Sequence, residues 1–444
     1  MVNILTVEIG EDTFDTFKSV EIDTSLDTFG SAFNIAINVP IEKKTTLTSA
    51  ITSLLQDDKP DFNLQGSLVR IKIDRETLLT GFIEKQTITY SKNNSIINVQ
   101  GRDKLCDFAD SRFSNKMFKP PISFIDVLEK LLKECGYIVV DNKTSPLVSG
   151  IALLGLGNKL LGNQVKIINE YEETDILNFY FGKTIEKFQT NESIGFNKDE
   201  SAYNLIQRLA DKRRLVLGTD GDGNIVIRAI GQETADTVLV NDTFANKPNQ
   251  NNNIISANIV RDDSRRYYEY KIFSSGTNTS TSTSIAGTLT DNLKNNTTQY
   301  SGVFYDNEIR KTRKFLDNVS GMGNELCKQR AEWECNIRRA RAFEYRCTVF
   351  GWRQNLKEMG LLNFSANSLW KVNQQVIVKD SRAKLFNEKL LIKSVTYKQD
   401  SQGGTTSDLV LVSPLSYTDS VFEPRIRLGR RKNNQGAYIP TPEN

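Results

Sequence analysis

From Leu68 onward apolar and polar positions alternate strictly: Val69, Ile71 and Ile73 are separated by Arg70 and Lys72. That is the period of two expected of a strand with one buried face. Asp74 to Leu79 reads as a polar turn, Gly81 to Tyr90 as a long strand, and Lys92-Asn93-Asn94 as a second turn. A strand from Ile96 to Gln100, closed by Gly101, completes an antiparallel meander. The pattern returns between Val376 and Val412, where an apolar strand ends at Asp380 as the first ends at Asp74. A charged loop then leads into a long strand ending Val395-Thr396-Tyr397, against Ile88-Thr89-Tyr90 in the first copy. Aspartate to tyrosine spans 16 residues (90 − 74) in one copy and 17 (397 − 380) in the other. A repeat so widely separated predicts two related β-domains bracketing something different.

Ahead of the first meander, Val7 and Ile9, Val20 and Ile22, and Phe33, Ile35, Ile37 and Val39 alternate in the same way. Five or six strands result, enough for a small barrel or sandwich; Thr45–Asp58 reads as a short helix or excursion between them. Past Arg102 the period changes. Ser123 and Asp126 form a capping-box pair, and Ile125, Leu128, Leu131, Leu132 and Cys135 recur at helical spacing up to Gly136. Ile138 to Val140 reads as a strand. A second helix, about Ser201 to Arg213, presents Ala202, Leu205, Ile206 and Leu209 on one face and runs into an Asp220–Asn224 turn between two short strands. The middle of the chain is therefore predicted to be α+β. The Asp220 turn lacks the glycine and glutamate that a calcium loop needs at its sixth and twelfth positions, where Ile225 and Gly231 stand. It reads as a β-turn.

The second β-domain is predicted to open with strands at Ile254–Val260 and Tyr267–Phe273. Ser274 to Tyr300, a Ser/Thr/Asn tract, interrupts it and reads as a mobile loop. Gly323 to Arg341 is predicted as a helix with Leu326, Trp333, Ile337 and Ala340 on one face, followed by a strand at Phe343–Phe350. Gly150–Gly162 is apolar and glycine-rich, carries no P-loop or complete dinucleotide fingerprint, and reads as a loop that packs in an interface or under its own domain. Aromatic-rich Tyr171–Phe188 reads as part of the same surface.

The 444 residues exceed one core and predict two to four domains. A net charge of +3 does not imply a polyanionic partner, and no apolar run approaches membrane-spanning length. The N-terminal MVNILTVEIG has no basic region or long apolar run, so a signal peptide is not expected. Five cysteines without a CxxC predict free thiols; Cys327 and Cys335 would lie about 12 Å apart along one helix, too far for a bridge. Histidine is absent, which removes the commonest general base, metal ligand and nucleophile partner. Neither a catalytic site, a metal site nor a cofactor is expected.

Taken in order, Ser19-Val20-Glu21-Ile22 with Phe33-x-Ile35, Gly81-Phe82-Ile83, and Val99-x-Gly101-Arg102-Asp103 resemble the baseplate hub proteins of Mu-like contractile phages. More distantly they resemble the T-even phage hubs. Ala202-x-x-x-Ile206-x-Arg208-Leu209-Ala210-x-x-Arg213, running on into Asp220-Gly221-x-Gly223-Asn224-Ile225-Val226-Ile227, extends the resemblance. It implies an α+β, mainly β fold: two tail-tube-like β-barrel domains, 1–103 and 246–420, bracketing an α+β middle domain, 104–245. An insertion at about 147–195, the 274–300 loop and a basic tail, 421–444, depart from the family pattern. The implied function is a structural one, without enzymatic activity: a homotrimer adapting a sixfold tail tube to a threefold central spike. Its partners would be the tail tube, spike, tape measure and other baseplate proteins, with DNA only in transit and no stable membrane association. Its place would be the virion tail, assembled in the host cytoplasm. Arg425, Arg427, Arg430, Arg431 and Lys432 in the tail are the candidate partner-binding residues. The competing readings are a tail-associated cell-wall enzyme, which lacks a paired-carboxylate or His/Cys set, and a single-strand nucleic-acid binder using Arg265, Arg266, Tyr267 and Tyr268.

Overall fold

The computed structural model describes residues 4–417 apart from 10–11, 40–63, 92–93, 114–116, 141–162, 172–184, 189–193, 242–251, 278–296, 319–323, 355–367, 401–402 and the single positions 186, 198 and 214. The basic tail, the Thr45–Asp58 and Gly150–Gly162 segments and most of Tyr171–Phe188 lie outside the described residues.

The fold is α+β and mainly β. Its first part contains β1 (Leu5–Ile9), β2 (Asp12–Phe14), β3 (Ser19–Ser25), β4 (Ala32–Val39), β5 (Leu68–Ile73), β6 (Glu76–Ser91) and β7 (Asn94–Asp103). Each apolar position singled out by alternation in β1, β3 and β5 is buried, and so are Phe33, Ile35 and Ile37 of β4. The turn between β5 and β6 is shorter than the sequence suggests. Only Asp74 and Arg75 make it, and the long strand already begins at Glu76.

The middle holds α1 (Cys106–Asp110), β8 (Met117–Phe118), α2 (Phe124–Glu134), β9 (Ile138–Val139), β10 (Gln164–Val165), β11 (Ile167–Asn169), β12 (Ile194–Gly195), α3 (Ala202–Arg213), β13 (Val216–Thr219) and β14 (Ile225–Arg228). The predicted capping box is present: Ser123 Oγ accepts from the Asp126 amide at 3.0 Å, and Asp126 Oδ2 from the Ser123 amide at 3.2 Å. Helices α2 and α3 bury Leu128, Leu131 and Leu132 against Leu205, Ile206 and Leu209 in a core of their own. Each such side chain contributes about 1.5–3 kcal/mol relative to exposure.

The last part contains β15 (Leu239–Asn241), β16 (Ile254–Arg261), β17 (Glu269–Thr277), β18 (Thr297–Tyr305), β19 (Lys314–Asn318), α4 (Asn324–Arg341), β20 (Phe343–Phe350), β21 (Gln375–Asp380), β22 (Leu385–Asp400) and β23 (Gly404–Val412). Three expectations need correction here. Strand β17 does not join the large sheet; it pairs with β18 and β19 in a separate three-stranded sheet. The ends of the supposed loop belong to that ladder, with Ser274 opposite Tyr300 and Thr277 opposite Thr297, while 278–296 lies outside the described residues. Helix α4 covers this sheet through Cys327, Ala331 and Cys335; of the predicted stripe Ile337 is buried as expected, while Trp333 and Ala340 are only half-buried. The approach is close enough that a Cβ on Gly302 would stand 2.0 Å from the Lys328 amide nitrogen. Cys327 and Cys335 are free thiols, as their spacing requires.

The remaining strands of the first and last parts form one 13-stranded sheet. Its path runs β16-β20-β23-β22-β3-β4-β7-β6-β5-β1-β2, with β21 beside β22 and β15 beside β21. Among the described residues this path is open at both ends. The two parts do not keep separate cores; residues from both fall in a single buried apolar cluster.

A candidate assembly surface

The repeat seen in sequence is a repeat of pairing. The order β3-β4-β7-β6-β5-β1 in the first unit corresponds to β16-β20-β23-β22-β21-β15 in the second. The sixth strand is antiparallel in the first unit and parallel in the second. Both long strands are interrupted twice. In β6 the unpaired residues are Leu78 and Glu84; in β22 they are Asn387 and Lys393. The interval is six residues in each (84 − 78, 393 − 387). Bulges bend a strand at a fixed place, so a shared pair of them fixes the alignment of the units better than side-chain similarity can.

That alignment places Tyr397 at the position of Ile88, two residues before Tyr90. The two tyrosines lie on corresponding strands at different positions. Asp380 likewise falls at the place of Ile73, with the extra residues taken up in the turn after it. Its carboxylate is buried and accepts from Tyr345 Oη at 2.6 Å, from Asn241 Nδ2 at 2.9 Å and from the Ala383 amide at 3.0 Å. The second unit thus pins its parallel sixth strand with a polar network where the first has an isoleucine.

The units are joined edge to edge. The second half of β22 runs antiparallel to β3, from Ser394 opposite Ser25 to Asp400 opposite Ser19. On the inner side of this seam Tyr397 faces Ile22, 1% and 0% exposed. On the other side Lys398 reaches Glu21 at 3.4 Å and Asp408 at 2.9 Å. The Asp408 carboxylate, with Glu21 beyond it, holds Lys398 above the ordinary lysine range. At the end of the seam the bulged Lys393 bonds Asp27 at 2.8 Å and Glu344 at 3.0 Å. Burial works against the Glu344 carboxylate, but hydrogen bonds from Arg346 and Lys393 outweigh it and leave the group below the usual range. Arg353 ties the units a second time, to Asp74 at 2.9 Å and Glu76 at 2.7 Å.

The face opposite the apolar core is polar across the seam. One cross-strand row reads Lys85, Gln100, Asn34, Glu21, Lys398 and Thr406. Such a row of polar side chains suits contact with water.

The middle domain docks on the first unit through the Asp220–Asn224 turn, where Thr80 Oγ1 donates to the Gly221 carbonyl at 2.9 Å. A Cβ at Gly221 would sit 1.9 Å from the Thr77 carbonyl oxygen, so the turn lies flush on β6. Beneath it Lys104 is buried, with Nζ donating to the Gln164 carbonyl at 2.7 Å, and desolvation lowers its pKa. Neighbouring Asp103 is buried too; burial raises its carboxyl to about 6.

A cleft of about 760 Å³ separates α3 from α4. Within it Glu334 takes Arg338 at 2.7 Å and Arg330 at 3.8 Å. Among the described residues no cluster of three or more Cys, Asp or Glu is placed to hold a metal ion, and no helix is long and apolar enough to cross a membrane. Arg425, Arg427, Arg430, Arg431 and Lys432, the partner-binding residues expected from sequence, lie outside the described residues. The seam was missed from sequence altogether, because nothing local in Ser19–Ser25 or Ser394–Asp400 specifies the other as its partner.

Residues 4–103 match the family described as Mu phage baseplate assembly protein GpP-like, N-terminal, and residues 323–419 that described as Mu phage baseplate assembly protein GpP, fourth domain. The 43 kDa tail protein of prophage MuSo2 from Shewanella oneidensis has the same fold, with a TM-score of 0.63 and 18% identity over 94% of this chain and 100% of that one. The tail protein from Neisseria meningitidis MC58 is similar at a TM-score of 0.63 and 15% identity, over 94% and 99% of the two chains. Among curated proteins no sequence matches. Over those two segments the chain is similar to the Mu phage baseplate assembly proteins whose motifs its sequence resembles.

Proposed function

We propose that this protein is the hub of a Mu-like contractile tail baseplate, a homotrimer that adapts a sixfold tail tube to a threefold central spike. The observation that carries the reading is the repeat of pairing order and bulge spacing within one chain. A closed ring of identical contacts matches one rotational symmetry. Three copies of a chain with two like units offer six quasi-equivalent faces to a tube (3 × 2), while the middle domain, present once per chain, offers three to a spike.

The organisation follows: a first tube-like unit, 1–103, a middle domain, 104–245, a second unit, 246–420, and a basic tail, 421–444. Within the second unit, β17 to α4 form an inserted module. Other proposed contacts are the tape measure protein and neighbouring baseplate proteins, with DNA passing through the ring without being read. The tail residues Arg425 to Lys432 reach a neighbouring hub chain or the spike. Residence in the virion tail and a purely structural, non-enzymatic role accord with the matched families, both described as baseplate assembly proteins.

Averaged electron-microscope images of the purified protein test this. Rings with three middle domains and six similar lobes support the adapter; rings with six middle domains contradict it.

A further inference from the structure

The pairing between the two units leaves each unit with one edge that its counterpart has covered. In the second unit, Ser394–Asp400 of β22 is covered by β3. The corresponding stretch of the first unit, Lys85–Ser91 of β6, pairs only with β7 and has no strand on its other side among the described residues. Conversely, β3 is covered on both sides, while its counterpart β16, among the described residues, pairs only with β20 and ends the sheet.

Burial follows the same division. Val20 and Ile22 of β3 are 2% and 0% exposed, whereas their counterparts Ala257 and Ile259 in β16 are exposed and half-buried. Tyr397 is buried while its counterpart Ile88 is 40% exposed. Two long strand edges that have no backbone partner on one side among the described residues, with a part-exposed isoleucine each, are an association site unless they are covered.

We infer that β6 of one copy pairs antiparallel with β16 of the next, repeating between chains the β22–β3 seam that already exists within one. This rests on the ring reading above and names the surface that closes it.

The bulge alignment fixes the register. Lys85 takes the place of Ser394 and Ser91 that of Asp400, while Asp262 and Ser256 take the places of Ser25 and Ser19. Lys85 then faces Asp262, Ile88 faces Ile259 and Thr89 faces Asn258. The facing charges are opposite and the two part-exposed isoleucines cover one another, both favourable for cross-strand neighbours. A register shifted by one residue would join the apolar face of one copy to the polar face of the next. Because the two edges differ, the contact is heterologous, and it makes a ring when the rotation closes.

Paired cysteines test the register. Thr89 and Asn258 are exposed and stand where Lys398 and Glu21 meet in the internal seam. The full-length double variant T89C/N258C, oxidised under mild conditions, is expected to give covalent dimers and trimers on a denaturing gel. The displaced pair T87C/N258C is expected to give less than a tenth of that yield. K85E should weaken self-association at least tenfold, and adding D262K should restore it. Native mass measured on the same samples separates the two claims. A trimer without the T89C/N258C cross-link overturns the edge pairing and leaves the adapter standing, whereas a protein that is not a trimer overturns the adapter itself. Equal cross-linking of the displaced pair also overturns the register.

Discussion

Glu84 and Lys393 occupy the same place in two copies of one sheet, each the unpaired residue at the second bulge of a long strand, and they carry opposite charges. Lys393 lies at a finished seam and bonds Asp27 of the first unit and Glu344 of the second. Glu84 lies at an open edge and bonds Arg102 of its own unit at 2.7 Å. The first unit has the same frame with a different end, which is what the pairing inferred above requires.

Replacing Lys393 with alanine should therefore loosen the joint between the units. Two part-buried carboxylates would lose their shared cation, at a cost of about 1.5–3 kcal/mol. Urea unfolding of K393A should show a fall in that range, whereas K85A should leave the stability of the single chain within about 0.5 kcal/mol.

Asp103 should make the docking of the middle domain depend on pH. Burial raises its folded carboxyl from 3.8 to about 6. The folded state therefore holds the proton more tightly than the unfolded one. Its contribution to stability is fullest below about pH 4 and is lost as pH rises through 6. D103N keeps an oxygen for the Leu105 amide that now bonds Oδ1. It should melt higher than the parent at pH 7.5, by about 1–3 kcal/mol of stability, with the gain vanishing below pH 4. A gain that does not depend on pH would contradict this.

The inserted β17–α4 module turns on Asp306, which is fully buried between Arg266 at 2.7 Å and Arg339 at 2.9 Å. Burial alone would raise this carboxyl, but the Arg266 and Arg339 guanidiniums hold it below the usual range. Removing one partner of a buried ion set leaves charge uncompensated. D306A should cost about 3–5 kcal/mol by urea unfolding, with D306N between it and the parent. A loss under about 1 kcal/mol would contradict that role.

Local features were legible in the sequence where neighbours along the chain decide them. The Ser123–Asp126 capping box depends on residues three apart, and the burial of Val69, Ile71 and Ile73 depends only on strand period. Helix α4 was placed correctly, but its buried stripe runs through Cys327, Ala331 and Cys335. Small side chains there let the helix approach Gly302, and small residues carry a weak hydrophobic signal. Strand β17 was legible as a strand and not as a member of another sheet, because its partners β18 and β19 come later in the chain. The offset of Tyr397 from Tyr90 has a similar cause. Bulge positions are set by the facing strand, so spacing between like residues misplaced an alignment that pairing settles. The candidate surface was the least legible part, since an edge acquires its meaning from what covers its counterpart.

The central claim is most directly tested by the native mass of the purified full-length protein. Three copies of the 50.2 kDa chain weigh 150.6 kDa, and the account predicts that species. A stable monomer, dimer or hexamer of this chain would contradict it.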